Sequence, residues 1–378
     1  MRGMKERIRL LDILRGIAVL GTLGTNIWIF AHLGDLSFIT TYEYSDWWKT
    51  EDLMRMFVLF LVNGKLLGLL TIMFGVGMEL KYQQMVRKNK AWPGVYKWTA
   101  IFLIAEGFLH YVLVMEYDIL MSYGVTALLV AYILKRGDRF ISRIMKLIGG
   151  FQLGVILLIT IASLFGGNVS LGSFDDVVAL YQNGSWLDQV EYRLSSFLLL
   201  RMEAILIIPM NIFLFLLGVR VMRAGVFSPD ENGRKQRSNL FKIGIYFGLP
   251  LNLLIFIPGG AFDLPVRYLF APILSLGYIG LIGKMIEYKK WDWLWQRLEQ
   301  AGRMSLSCYV IQNVIASVIF YGWGFALGGK VDSLTIILTW TMISLSQLIL
   351  ASVWSHKFQQ GPMEIIRQRT IRLLSQNN

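Results

Sequence analysis

Ten mostly apolar blocks, each about 17 to 25 residues long, set what this chain can fold into. They lie near 12–32, 64–80, 98–116, 118–134, 147–165, 198–219, 241–257, 268–283, 304–324 and 333–355. A helix of that length crosses a hydrocarbon core of roughly 30 Å. No water reaches backbone N–H and C=O groups there, so each block must close its hydrogen bonds within itself. The strands of a membrane barrel would alternate over about ten residues, and these blocks do not. Composition agrees: 55% of the 378 residues are apolar and 16% charged, against about 45–50% and 25% in soluble domains. The expected fold is all-α, a polytopic integral membrane helix bundle of about ten spans.

Charge gives an orientation. With a cytoplasmic N-terminus, 29 of the 37 Lys and Arg fall in six inner segments, from Arg2, Lys5, Arg7 and Arg9 to Lys357, Arg367, Arg369 and Arg372. The outer segments hold Lys49, Arg55, Arg193, Arg267 and Lys330 and are rich in Asp and Glu. This is the positive-inside pattern, and it puts both termini in the cytoplasm. The net charge of +12 follows from that topology, with attraction to anionic lipid. It requires no nucleic-acid partner.

A single cysteine, Cys308, excludes a disulfide framework and a multi-Cys metal site, and no metal-ligand spacing occurs. The first block has a basic flank but runs into Asn26 without a small-residue cleavage motif, so no cleaved signal is expected. The chain divides into an N-terminal half (1–165, spans 1–5), an outer loop (166–197) and a C-terminal half (198–378, spans 6–10). The amphipathic stretch from Asp46 to Val62 either lies in the interface or re-enters the membrane. Trp291, Trp293, Trp295 and Leu298 predict a helix at the inner interface.

A charge near the bilayer centre costs about 2.5–3.5 kcal/mol on the insertion scale, so polar residues inside spans need a reason. Asp12 and Arg15 share a helical face at the cytoplasmic entrance, either as a local ion pair or as a place where Arg15 meets an anionic group. Asn26, Lys65, His110, Asp118, Arg201, Glu203 and Asn252 fall at similar depth in the outer half and predict a polar cavity open to the outside. Lys65 and Arg201 could equally snorkel to the outer interface. His110 could serve only to bond a neighbouring helix. It is still the best chemical candidate, because an imidazole takes up and returns protons near neutral pH. Glu106 lies one turn below it on the same face. Asp118, across the hairpin, is placed to orient the ring. His32 and His356 belong at span ends.

The words Arg9-Leu10-Leu11-Asp12-Ile13-Leu14-Arg15-Gly16, Phe74-Gly75-Val76-Gly77, Gly107-Phe108-Leu109-His110 and Asp118-Ile119-Leu120 with Tyr123-Gly124 resemble those of the bacterial YeiB family of membrane proteins. Gly218 and Gly225 fit the sixth span and the turn after it. Gly302-Arg303-Met304-Ser305-Leu306, Tyr309, Gln312, Phe320-Tyr321, Gly324, Phe358, Gly361-Pro362 and Glu364 resemble its carboxyl-terminal domain of unknown function. Tyr117 stands where the family usually has glycine before the hairpin aspartate. The family is similar, more remotely, to the transmembrane acyltransferase superfamily, with its lysosomal heparan glucosaminide acetyltransferase and bacterial sugar O-acyltransferases. What the resemblance implies is a ten- or eleven-helix bundle in the bacterial cell membrane that joins a cytoplasmic acyl-CoA to an acceptor on the other side.

On that reading His110 is the general base, Asn26 an oxyanion donor and Asp118 the residue that orients the ring. Asp12, Arg15, Lys65, Glu106, Arg201, Glu203 and Gln312 are the candidates for substrate contact. Acyl-CoA is the donor, the acceptor is extracytoplasmic, and a homodimer is left open. Two other readings stand beside it: a transporter or flippase using the Glu106–His110 pair for protons, and a non-catalytic immunity, sensor or envelope-stress protein. Against the transporter, no internal repeat is visible.

Overall fold

The computed structural model describes residues 8–41, 49–165 and 173–376. Arg2, Lys5, Arg7, the start of the amphipathic stretch at Asp46 and residues 166–172 of the outer loop lie outside the described residues. Among those described, every regular element is helical. The N-terminal half contains α1 (Arg9–Ala31), α2 (Thr50–Val62), α3 (Lys65–Arg87), α4 (Tyr96–Leu113), α5 (Leu120–Leu134) and α6 (Asp138–Leu164). In the outer segment the described residues, from 173 on, are largely helical. They form α7 (Asp175–Asn183) and α8 (Trp186–Ser195), the latter started by a capping box between Ser185 and Asp188. The short α9 (Phe197–Leu200) then leads into α10 (Ala204–Arg223).

Next, α11 (Glu231–Ile243) passes through a π turn at Gly244–Gly248 into α12 (Leu249–Asn252). A short α13 (Asp263–Pro265) and a second π turn open α14 (Ala271–Met285). The chain ends with α15 (Asp292–Arg303), α16 (Ser305–Phe320), α17 (Ser333–Ser355) and α18 (Pro362–Gln376). The π turns sit just before Pro250 and Pro272, where the helix lacks an amide donor and must loosen.

A helix occupies each of the ten expected blocks, but length and hydropathy single out fewer. Among the described residues, seven helical runs are long and apolar enough to cross a bilayer: Arg9–Ala31, Thr50–Arg87, Asp138–Leu164, Ala204–Arg223, Glu231–Phe256, Asp263–Met285 and Ser333–Ser355. Helices α15 and α16, bent by 86° at Met304, give an eighth if taken together. The α4–α5 hairpin falls outside this set. Lys97, Glu106 and His110 dilute α4, and α5 has only 15 residues. The outward surface is what lipid requires. On α6, Leu147, Phe151, Leu158 and Ile161 are about half exposed or more, as are Met342, Ile349 and Val353 on α17. In water so large an apolar surface would aggregate.

The amphipathic stretch packs as a helix and runs on into α3 across a break at Asn63-Gly64. Leu53, Phe57 and Leu61 face outward from it at helical spacing, while Met56 and Leu59 are buried. Helix α15 lies under α1, with Trp295 and Leu298 buried and Trp291 and Trp293 exposed, in keeping with an interfacial helix.

Without a hydrophobic driving force between helices, close packing needs small residues at the crossings. Helices α1 and α15 meet through Gly16 and Gly302: a Cβ on Gly16 would overlap the Leu298 carbonyl, and one on Gly302 the Asp12 carbonyl. Gly75 and Gly218 make the same reciprocal contact between α3 and α10. Gly302→Ala is therefore expected to destabilise the bundle by at least about 1–3 kcal/mol, since backbone cannot yield as a side chain does. Thermal unfolding of the detergent-solubilised protein would read this. Gly154→Ala, with nothing within 4 Å of its Cβ position, is the neutral control.

Candidate functional site

Two polar regions lie at opposite ends of the bundle. At the basic end, Asp12 and Arg15 form the expected i,i+3 pair at 3.8 Å. Asp12 is also 3.8 Å from Arg303 of α15, and Arg303 pairs with Glu299. Arg15 reaches the Met73 carbonyl of α3 at 3.4 Å. Nearby, Glu364 of α18 accepts from the Leu306 amide at 2.8 Å and the Ser307 hydroxyl at 2.6 Å. It caps α16 at the bend from outside the helix, satisfying amides a helix start leaves unpaired. That explains why Gly302–Leu306 and Gly361–Glu364 belong to one structural unit.

The other region is built on the α4–α5 hairpin. The Nδ1 atom of His110 lies 3.1 Å from Oδ1 of Asp118, though off the line of a straight hydrogen bond. Asp118 is fixed from two sides: its Oδ2 accepts from the Met121 amide at 3.0 Å, and Tyr309 of α16 approaches Oδ1 at 3.4 Å. A side chain on Gly107 would crowd this carboxylate, which explains the glycine three residues before His110. Tyr117 costs nothing at the turn. The non-glycine residues with left-handed φ are Leu33, Asn89 and Ala326, so among the described residues this position needs no glycine. On the far side of the ring, Nε2 faces the Asn313 amide at 3.4 Å, and Asn313 accepts from Asn26 of α1 at 3.4 Å. With Nδ1 protonated toward Asp118, Nε2 is the acceptor, and the Asn313 amide donates to it.

The sequence predicts a cavity open to the outside, but the structure buries this cluster instead. His110 and Asp118 are 4% and 3% exposed. Helices α7 and α8 lie over the hairpin, pinned by a second buried network that the sequence did not disclose. Tyr181 donates to Glu116 at 2.5 Å, Arg193 lies 3.6 Å from Glu116 and donates to Tyr181 at 3.0 Å, and Arg193 also holds the Val112 carbonyl at 2.8 Å. Trp186 donates to the Leu113 carbonyl at 2.9 Å. The one signal in the sequence was Arg193 itself, a lone basic residue in a segment otherwise acidic.

The remaining candidates separate. Arg201 stacks on the Tyr111 ring at 4.3 Å and donates to the Asp118 carbonyl at 3.0 Å, so it borders the cluster and does not snorkel. Glu203 accepts from Tyr268 at 2.5 Å beside Arg267. Glu106 is buried one turn from His110, and neither carboxyl oxygen has a hydrogen-bond partner. Gln312 ties α16 to the Val19 carbonyl of α1 at 3.2 Å, a packing role away from the histidine. Asn252 bonds the Gly248 and Phe270 carbonyls at the π turns, so it too serves the fold. Lys65 is fully buried in the break between α2 and α3. His32, just past α1, stacks on Phe38, and burial, aided by Arg55, holds its imidazole down at about 3, too weak a base to use near pH 7.

Fold and site together define a polytopic helical membrane protein with a sealed histidine–carboxylate pair. Residues 221–373, from the end of α10 through most of α18, match the family described as "Protein of unknown function (DUF418)". The chain is 24% identical to the uncharacterized protein YxaH of Bacillus subtilis (strain 168), over 95% of this chain and 92% of that protein. It is 25% identical to the uncharacterized protein YeiB of Escherichia coli (strain K12), over 97% of each. Over nearly its whole length the chain is thus similar to YxaH and YeiB, and its C-terminal part carries the family match.

Proposed function

We propose that this protein acts in the bacterial cytoplasmic membrane as an acyltransferase, moving an acyl group from cytoplasmic acyl-CoA to an acceptor on the outer side. The observation that carries this reading is the His110–Asp118 pair at 3.1 Å, with Nε2 of the same ring left as an acceptor. The Nε2 atom takes the proton of an acceptor hydroxyl or amine as that atom attacks the thioester carbonyl. Asp118 steadies the imidazolium, and the Asn26 amide donates to the developing oxyanion. Collapse of the intermediate breaks the C–S bond, and the imidazolium returns its proton to the CoA thiolate. The donor enters at the basic end near Asp12 and Arg15. Because the pair is sealed, turnover requires the α7–α8 cover to part from the hairpin. Membranes containing the protein, given acyl-labelled acyl-CoA, are expected to accumulate label in an extracytoplasmic acceptor. Membranes lacking it should not, and equal labelling in both would sink the proposal.

One observation favours a second reading, proton-coupled movement of a substrate. The buried Glu106 carboxyl, with no hydrogen-bond partner, stands one turn from His110, a spacing suited to passing protons. Substrate counterflow in proteoliposomes without any acyl donor would select it.

A further inference from the structure

Helices α2 and α3 are one helical run interrupted at Asn63-Gly64, and the interruption is built rather than frayed. Gly64 takes a φ of 74°, a left-handed value that suits glycine, and a Cβ added there would lie 2.8 Å from the Arg267 carbonyl oxygen. The Lys65 carbonyl accepts from Ser275 of α14 at 2.6 Å, which locks the first turn of α3 to its neighbour. The 23-residue α3 starts here with no side-chain cap. A helix of that length presents unpaired amides and a partial positive charge at its start.

Lys65 is the first residue of α3 and is 0% exposed. Its ammonium has no hydrogen-bond partner, and among the described residues no carboxylate lies within ion-pair distance. The Nζ atom does not reach for water. It lies 5.6 Å over the ring of Phe60, which belongs to the last turn of α2, so it points back past the start of α3 into the break. In the same break the buried Asn63 spends its Nδ2 on the Ile39 carbonyl at 3.2 Å and leaves Oδ1 without a partner. An unpaired cation this deep is costly unless something anionic meets it. Half-helix starts inside membrane bundles do meet the anionic groups of ligands.

We propose that the α2–α3 break is an oxyanion site. A carboxylate or phosphate is held between the Lys65 ammonium and the free amides of the first turn of α3. The site is separate from the acyl-transfer reading and does not depend on it.

The test uses the full-length protein in neutral detergent and in nanodiscs. In detergent, inorganic phosphate or acetate is compared with chloride at equal ionic strength. In nanodiscs, phosphatidylglycerol is compared with phosphatidylcholine. Saturating anion is expected to raise the melting temperature by about 2–4 °C in the parent protein and not in Lys65→Met. In chloride, Lys65→Met should melt no lower than the parent, because it removes an uncompensated buried charge; Lys65→Arg should keep the anion effect. A Lys65-dependent rise with free phosphate or acetate identifies a soluble ligand, and a rise only with phosphatidylglycerol identifies a lipid headgroup. An equal rise in Lys65→Met puts the anion elsewhere and overturns the proposal. So does no rise in any arm. A Lys65→Met protein that melts below the parent or fails to fold also overturns it, since Lys65 is then structural.

Discussion

Replacing His110 with alanine is expected to lower acyl transfer in membranes by about 10²–10⁴-fold, the range a positioned general base contributes. The variant removes the imidazole that bridges Asp118 and Asn313. His110→Gln is the sharper comparison, because an amide can meet Asn313 but cannot accept and return a proton. Asp118→Asn should also lose activity, since the amide cannot steady an imidazolium, while its oxygen can still accept from the Met121 amide. Initial rates with labelled acyl-CoA, normalised to the amount of folded protein, separate chemistry from stability. A His110→Ala protein at full rate would remove this residue from the mechanism.

The second large effect is on stability. Arg193 is fully buried and supplies hydrogen bonds to Tyr181, Val112 and Gln189 around Glu116. Arg193→Met strands the Glu116 carboxylate, and breaking a buried pair from one side costs about 3–5 kcal/mol. The expected result is a lower melting temperature together with easier proteolysis of α7 and α8, whose hold on the hairpin passes through this network. The double variant Arg193→Met, Glu116→Gln should recover much of the loss, because no charge is then left unpaired. A double variant as unstable as the single one would show that Arg193 contributes packing and not charge compensation.

The sequence alone determined that this chain is helical and membrane-embedded, that its basic residues gather at one end, and that Glu106 and His110 share a face. Those facts depend on hydropathy and on spacing along one helix, which neighbouring residues carry. It also placed Asp118 within reach of His110, because the hairpin between them is short. The tertiary structure alone decided that Asn313, 203 positions along the chain, meets the second ring nitrogen. It likewise decided that Arg193 turns inward to Glu116 and that Lys65 is buried rather than snorkelling. It separated Gln312 and Asn252 from the site by spending their amides on backbone carbonyls. Each of these outcomes depends on how far one helix is rotated and how closely it approaches another. Glycine contacts such as Gly16 with Leu298 and Gly75 with Phe215 fix that geometry between segments far apart in sequence. Helical periodicity says which face a side chain occupies, but only the packing says what that face meets.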